Sequence, residues 1–290
     1  MRRRTVLIVA ASALALIAIV GGWAFALSTS KTTAPPAASQ TDPTTTPSDA
    51  PLPPLPHLAL SHHTNYVALG DSFAAGLGGG NEKGVCQRSA ASYSEDFASA
   101  TGVRLVQNAG CSGATTTDLL ANQLSALGPS ANLVTVSIGG NDLNVAGLAT
   151  ACSATESRAC QRSFQSSFTL LTSLRGRLVQ TYAAIAQSAP NARIVVTGYP
   201  ALFELPSASE PDLTSIAAVN AATEALNSVI SSAVHEERVR GFPISYVSVS
   251  FNGHGIGSTD PWIHASGAAA YHPTAAGYHR YAEDLRTALA

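Results

Sequence analysis

Five short runs rich in β-branched residues constrain this 290-residue chain more than anything else in it. They are Tyr66–Leu69, Val103–Val106, Leu133–Ile138, Arg193–Val196 and Ile244–Val249. Each is apolar along nearly its whole length, the pattern of strands buried on both faces. Between and after them, apolar residues recur at steps of three and four. One such stripe is Phe164, Phe168, Leu171, Leu174, Leu178, Tyr182 and Ile185. A second is Ile216, Val219, Leu226 and Ile230, after a start signal at Pro211-Asp212, and a third is Tyr278, Tyr281, Leu285 and Leu289. Strands alternating with helices predict a parallel sheet covered on both faces, an α/β domain over residues 61–290.

What precedes this domain is built differently. Arg2, Arg3 and Arg4 lead into an uncharged run from Thr5 to Leu27. It is long enough to cross a bilayer, which takes about 20 apolar residues. Ala24-Phe25-Ala26 also offers a small-x-small cleavage site. Residues 1–27 are therefore a signal peptide or an N-terminal membrane anchor, and either one exports all that follows. Residues 28–60 are rich in Thr, Pro, Ser and Ala, with too little apolar surface to offset the entropy of ordering. They read as a disordered linker, whether a semi-extended stalk or a plain connector.

Sixteen basic residues face 18 acidic ones, a net charge of −2, so no basic excess exists to neutralise phosphates and a dedicated nucleic-acid binder is excluded. Cys86, Cys111, Cys152 and Cys160 all lie in the exported part. Four cysteines allow three pairings. Proximity favours Cys152 with Cys160, which leaves Cys86 with Cys111. A zinc site is not indicated, because no CxxC and no close Cys/His pair occurs.

Parallel sheets bind ligands at the C-terminal ends of their strands. The first run leads into Gly70-Asp71-Ser72-Phe73-Ala74-Ala75-Gly76, placing Ser72 at a strand-to-helix junction where backbone N–H groups favour negative charge. Alone, that triplet is equally compatible with a plain N-cap serine. After the second run, Asn108 to Thr116 holds Gly113 in a turn before a helix expected over Asp118–Leu127. After the third, Gly139-Gly140-Asn141-Asp142 sets a side-chain amide, a potential oxyanion donor, at a strand end. Near the C-terminus, Pro273 of Tyr271-His272-Pro273 fits a first helical turn. His272 is then expected just before a helix N-terminus, whose dipole keeps the imidazole neutral. His264, in Asp260-Pro261-Trp262-Ile263-His264, is a rival base without that context. The spacing of His254, His264, His272 and His279 matches no metal motif, and GxSxG, Walker A and complete GxGxxG patterns are absent. Gly78-Gly79-Gly80 reads as a flexible loop.

Together these four segments resemble the SGNH (GDSL-type) hydrolase family over essentially residues 65–285. The resemblance implies a three-layer α/β/α sandwich with a five-stranded parallel sheet, and ester hydrolysis without metal or cofactor. It implies Ser72 as nucleophile and His272 of YHPTAAG as base. The Ser72 N–H, Gly113 of SGATT and Asn141 of GGND become the oxyanion donors. The cysteine placement and the IVVTGYP segment at 194–200 are most similar to the actinobacterial secreted lipase/esterase branch, which pairs its first two cysteines and its next two. One departure stands out. The family's usual DxxH would place an acid where Ala269 stands. The resemblance then implies a main-chain carbonyl, of Ala269 or Ala270, as the acceptor for His272 Nδ1–H, with Asp260 the alternative. Small-molecule or lipid esters are the expected substrates of a monomeric, exported enzyme that touches membrane only through its N-terminal segment. A carbohydrate O-acetyl esterase, a thioesterase or an acyltransferase would share the acyl-enzyme. A non-catalytic surface-binding module is the reading from outside enzymes.

Overall fold

The computed structural model describes Leu52, Pro54, Leu55 and residues 57–152, 158–205 and 213–290. The N-terminal apolar run, most of the linker and the Pro211-Asp212 start signal lie outside the described residues. In chain order the elements are β1 (Asn65–Gly70), α1 (Ser72–Ala75), α2 (Tyr93–Thr101), β2 (Arg104–Asn108), α3 (Thr116–Asn122), β3 (Leu133–Ser137), α4 (Val145–Cys152), α5 (Arg158–Ser188), β4 (Arg193–Thr197), α6 (Leu213–Val239), β5 (Ile244–Val247) and α7 (Ala275–Leu289).

All strand pairs are parallel, in the order β2-β1-β3-β4-β5. Helix α2 packs with α7, while α3, α4, α5 and α6 pack among themselves, so the sheet lies between two helical layers. The order reverses direction between β1 and β3, the point where an open α/β sheet leaves a crevice for a ligand.

The α2/α7 layer packs through tyrosines. The rings of Tyr93 and Tyr281 stack at 4.3 Å, and Tyr66 meets Phe97 edge-on. Their hydroxyls need partners once buried. Those of Tyr66 and Tyr93 reach Thr135 Oγ1 at 2.7 and 3.3 Å, and that of Tyr281 reaches Thr197 Oγ1. Two threonines inside buried strands are thereby accounted for. On the opposite face, Leu174, Leu178, Tyr182 and Ile185 of α5 are fully buried with Leu226 and Ile230 of α6.

Three expectations change. The run Val103–Val106 forms an edge strand, β2, with Arg104, Val106 and Gln107 exposed rather than buried on both faces. Phe168 is 41% exposed. The inward stripe of α5 passes instead through Ser167, whose hydroxyl donates to Leu143 O at 2.7 Å. The helix expected over 118–127 splits into α3 and a 3-10 turn, Leu124–Ala126. At the break Gln123 turns inward, accepting from Gly70 N at 2.8 Å and donating to Gly70 O at 2.7 Å. Gly70 itself (φ +133°) lies so close to β3 that a Cβ would sit 2.0 Å from Ser137 O. Only glycine permits that contact.

Cys86 is bonded to Cys111 and Cys152 to Cys160, as disulfides suited to an oxidising compartment. Among the described residues no helix is long and apolar enough to cross a membrane.

Candidate active site

The crevice at the β1/β3 reversal holds Ser72, Asn141 and His272 together. Ser72 opens α1, a single buried turn capped by Asp71, whose carboxylate accepts from Phe73 N at 3.0 Å. The N-cap is thus Asp71, which frees the Ser72 hydroxyl for another partner. That partner is His272 Nε2, at 2.8 Å. On the far side of the ring, His272 Nδ1 lies 2.9 Å from Ala270 O. A carbonyl only accepts, so Nδ1 carries the proton and Nε2 is left as the acceptor facing Ser72.

The orienting carbonyl comes from a turn. His272 N donates to Ala269 O at 3.1 Å, which closes Ala269-Ala270-Tyr271-His272. Tyr271 adopts φ +68°, alone positive within this turn, as the third position of a type II turn requires. Of the two carbonyls expected, Ala270 takes the ring and Ala269 takes the backbone. Asp260 is elsewhere. Its side chain is 74% exposed and lies 3.3 Å from His254 Nδ1, which also contacts Asp260 O at 2.8 Å.

The position of His272 relative to the last helix differs from expectation. Thr274 is the N-cap of α7, accepting from Gly277 N, and Pro273 pairs with Ile263 ahead of the helix. The imidazole is nonetheless held below its ordinary pKa. Burial is the main cause, with His264 adding to it and the carbonyls of Ala270 and Ala269 opposing. Desolvation is thus the main cause of the depression.

The ring of His264, the rival base, is bonded to Gly78 and not to Ser72. Its Nε2 lies 2.9 Å from Gly78 O, its N–H donates to His272 O at 2.9 Å, and its carbonyl accepts from Tyr271 N at 2.7 Å. It joins the loop after α1 to the segment carrying His272. Gly78-Gly79-Gly80, expected to be flexible, is closed by bonds from Gly78 N and Gly80 N to Glu82 Oε1 at 2.9 and 3.0 Å.

Gly113 and Asn141, the expected oxyanion donors, lie in two turns. Cys111 is tied to Cys86, and Arg88 donates to the carbonyls of Gly110 and Ala109 at 2.8 and 3.3 Å. Gly113 follows with φ +83° and open space where a Cβ would stand. Among the described residues neither the Ser72 nor the Gly113 backbone N–H has a hydrogen-bond acceptor. Asn141 begins a 3-10 turn, Asn141–Leu143, and donates one Nδ2–H to Ala114 O at 2.9 Å, leaving its second for a ligand. Asp142, almost fully buried, accepts from Thr116 N and Oγ1 at 2.9 and 2.7 Å. It thereby binds the Asn141 turn to the start of α3.

A cleft of about 470 Å³, partly open to solvent, runs from Ser72, Asn141 and His272 between α4 and α6. Val145, Leu202, Leu226 and Phe73 make its walls largely apolar. Tyr199, just past β4, also lines it and was not singled out by the sequence as a site residue. Its hydroxyl donates to Asp71 Oδ2 at 2.5 Å and accepts from Gly140 N at 3.1 Å. Burial pushes the Asp71 carboxyl up to about 7, against the opposing bonds from Tyr199 and Phe73 N.

The GDSL-like lipase/acylhydrolase family profile matches residues 68–280. A protein named Lipase from Streptomyces rimosus is 38% identical over 224 residues, spanning 74% of this chain and 82% of its own. Among solved structures, an extracellular lipase from S. rimosus matches with a TM-score of 0.70 at 36% identity. A phospholipase A1 from Streptomyces albidoflavus NA297 matches with 0.69 at 33%. Each structural match covers 78% of this chain and 99% of the other.

Proposed function

The chain belongs to the GDSL-like lipase/acylhydrolase family and is a carboxylic ester hydrolase; we propose that it works through an acyl-enzyme on Ser72. One observation carries this reading: Ser72 Oγ lies 2.8 Å from an imidazole nitrogen whose opposite nitrogen is held by a carbonyl. A serine is a poor nucleophile until a neighbouring base takes its proton. His272 Nε2 takes that proton as Oγ attacks the ester carbonyl. The oxyanion is received by the N–H groups of Ser72 and Gly113 and by the free Nδ2–H of Asn141. His272 then gives the proton to the departing alcohol, leaving the acyl group on Ser72. Water, deprotonated by the same nitrogen, attacks the acyl carbonyl, and the acid leaves as Oγ regains its proton. The Ala270 carbonyl fixes the tautomer throughout.

The apolar cleft walls support an acyl chain lying between α4 and α6, and lipid or small-molecule esters as substrates. Residues 1–27 serve export and 28–60 link them to the catalytic domain, 61–290. The two disulfides and the extracellular character of the S. rimosus lipase support an exported site of action.

The test is covalent. A fluorophosphonate should add to one residue, and mass mapping should find it on Ser72. Ser72→Ala should abolish both labelling and p-nitrophenyl ester turnover in folded protein. Label on another serine, or wild-type turnover by that variant, overturns the reading.

A further inference from the structure

The segment IVVTGYP holds a tyrosine, Tyr199, that the acyl-enzyme scheme leaves unused. Tyr199 sits beyond β4 and is 6% exposed, although it borders the cleft. Its backbone is fixed from α6: Asn227 Oδ1 accepts from Tyr199 N at 2.8 Å, and Asn227 Nδ2 donates to Tyr199 O at 2.9 Å. The amide reads the residue as a neighbouring strand would. Its ring stands edge-on to Phe73 at 5.0 Å, and a Cβ on Gly140 would lie 3.3 Å from its Cζ. The phenol oxygen is therefore held in place before any of its own hydrogen bonds are considered.

We propose that Tyr199 is a positioning residue for the oxyanion hole, its hydroxyl bridging the Asp71 carboxylate, which caps the turn that begins at Ser72, to the backbone N–H beside Asn141. The phenol has one proton and accepts one from Gly140 N–H, so that proton is directed to Asp71. Asp71 precedes Ser72, whose N–H is one proposed donor. Gly140 precedes Asn141, whose side chain is another. No backbone hydrogen bond joins Asp71 to Gly140 among the described residues. The two turns meet at this oxygen. A donor set that accepts developing charge must be held at fixed separation before the charge appears, and one atom bonded to both turns sets that separation directly. The bond to Asp71 is buried, which strengthens that half of the bridge.

This inference rests on the reading of Asn141 as an oxyanion donor, and the experiment separates the two. Tyr199→Phe keeps the ring and its packing and removes only the bridge. We expect kcat to fall about tenfold with KM within about twofold, because an interaction realised in the transition state is lost. Asn141→Ala should lower kcat by roughly 10²–10³, the usual loss for one oxyanion donor. The double variant should fall little below Asn141→Ala alone, since residues acting through one group do not combine independently. Active-site titration with the fluorophosphonate counts folded enzyme in each case. Full multiplication of the two losses, wild-type kcat in Tyr199→Phe, or a loss confined to KM overturns the bridge while leaving the oxyanion reading intact. Wild-type kcat in Asn141→Ala overturns both. Should Tyr199→Phe fail to fold, Asp71→Asn repeats the cycle, because Asp71 accepts from Phe73 N and from Tyr199 through separate oxygens and the amide keeps only one of them.

Discussion

The two halves of the proposed catalytic pair are held in different ways. Ser72 follows a buried central strand directly: β1 is covered on both sides, Gly70 is pressed against Ser137, and the serine begins the very next turn. His272 lies in the long segment between Val247 and Ala275, where no helix or named strand is found. What fixes it there is a ladder of backbone bonds across that segment. Trp262 N donates to His254 O, Thr274 N to Trp262 O, and His264 and His272 face each other as in a strand pair. Ser72, the proposed nucleophile, inherits its place from the sheet, whereas His272, the proposed base, is placed by loop hydrogen bonds. Disturbance of the loop should therefore cost activity before it costs stability, and disturbance near β1 should cost both.

Substitutions at the base probe this first. His272→Ala should lower kcat/KM by about 10⁴ or more, yet leave the melting temperature within a few degrees, since the ladder uses the backbone at this position. A large loss of Tm would show that the ring also holds the loop. Next come the disulfides. Removing Cys86–Cys111 by paired serines should cost about 3.5 kcal/mol and removing Cys152–Cys160 about 2.5, by loop length alone. Denaturant unfolding measures both. Only the first, which braces the Gly113 turn, should also reduce kcat. Smaller again is His264→Ala, which removes the link from Gly78 to the base segment. About a tenfold fall in kcat is expected, with recovery in His264→Gln, whose amide nitrogen reaches a similar point. Equal losses in both variants would mean that the bond to Gly78 O contributes nothing.

Acidity sharpens the contrast further. As the proposed base His272 must be neutral, and burial holds it below the ordinary imidazole value of about 6.5. The acid limb of kcat/KM should accordingly lie below that value. Stability should decline as pH falls through 6.5, because the unfolded chain gains a proton that the folded site resists. A limb above 6.5 would indicate an unrecognised negative partner. The smallest effect is reserved for Asp260→Asn, which should stay within about threefold of wild type, since the carboxylate belongs with His254 and lies far from the base in the bonding pattern.

Legibility in the sequence divides along the same line. Central strands are continuous apolar runs, so β1, β3 and β4 could be placed to within a residue or two, and the residues after β1 and β3 follow at once. The edge character of β2 could not, because a strand's neighbours are set by topology and not by its own residues. His272 was found as a motif ahead of a helix, but the helix start was placed early: Pro273 suggested it, and Thr274 supplies the cap one residue later. The side-chain amides of Gln123, Asn227 and Asn220, each paired with both backbone groups of a distant residue, have no local signature at all. Tyr199 had one. It lies two residues past the end of β4, where the strand-end rule that finds Ser72 and Asn141 also points.

The turn that presents the Ala270 carbonyl changes what mutation can do to this enzyme. A carboxylate third member is erased by one codon change, but every amino acid carries a main-chain carbonyl, so position 270 is free to drift so long as the chain keeps its path. The vulnerable position is the next one. Tyr271 sits at φ +68°, where glycine and asparagine are at ease and β-branched residues are not. Random variation should therefore tolerate wide change at 270 and select sharply at 271, and laboratory evolution has a backbone angle there, rather than a functional group, as its handle on the base.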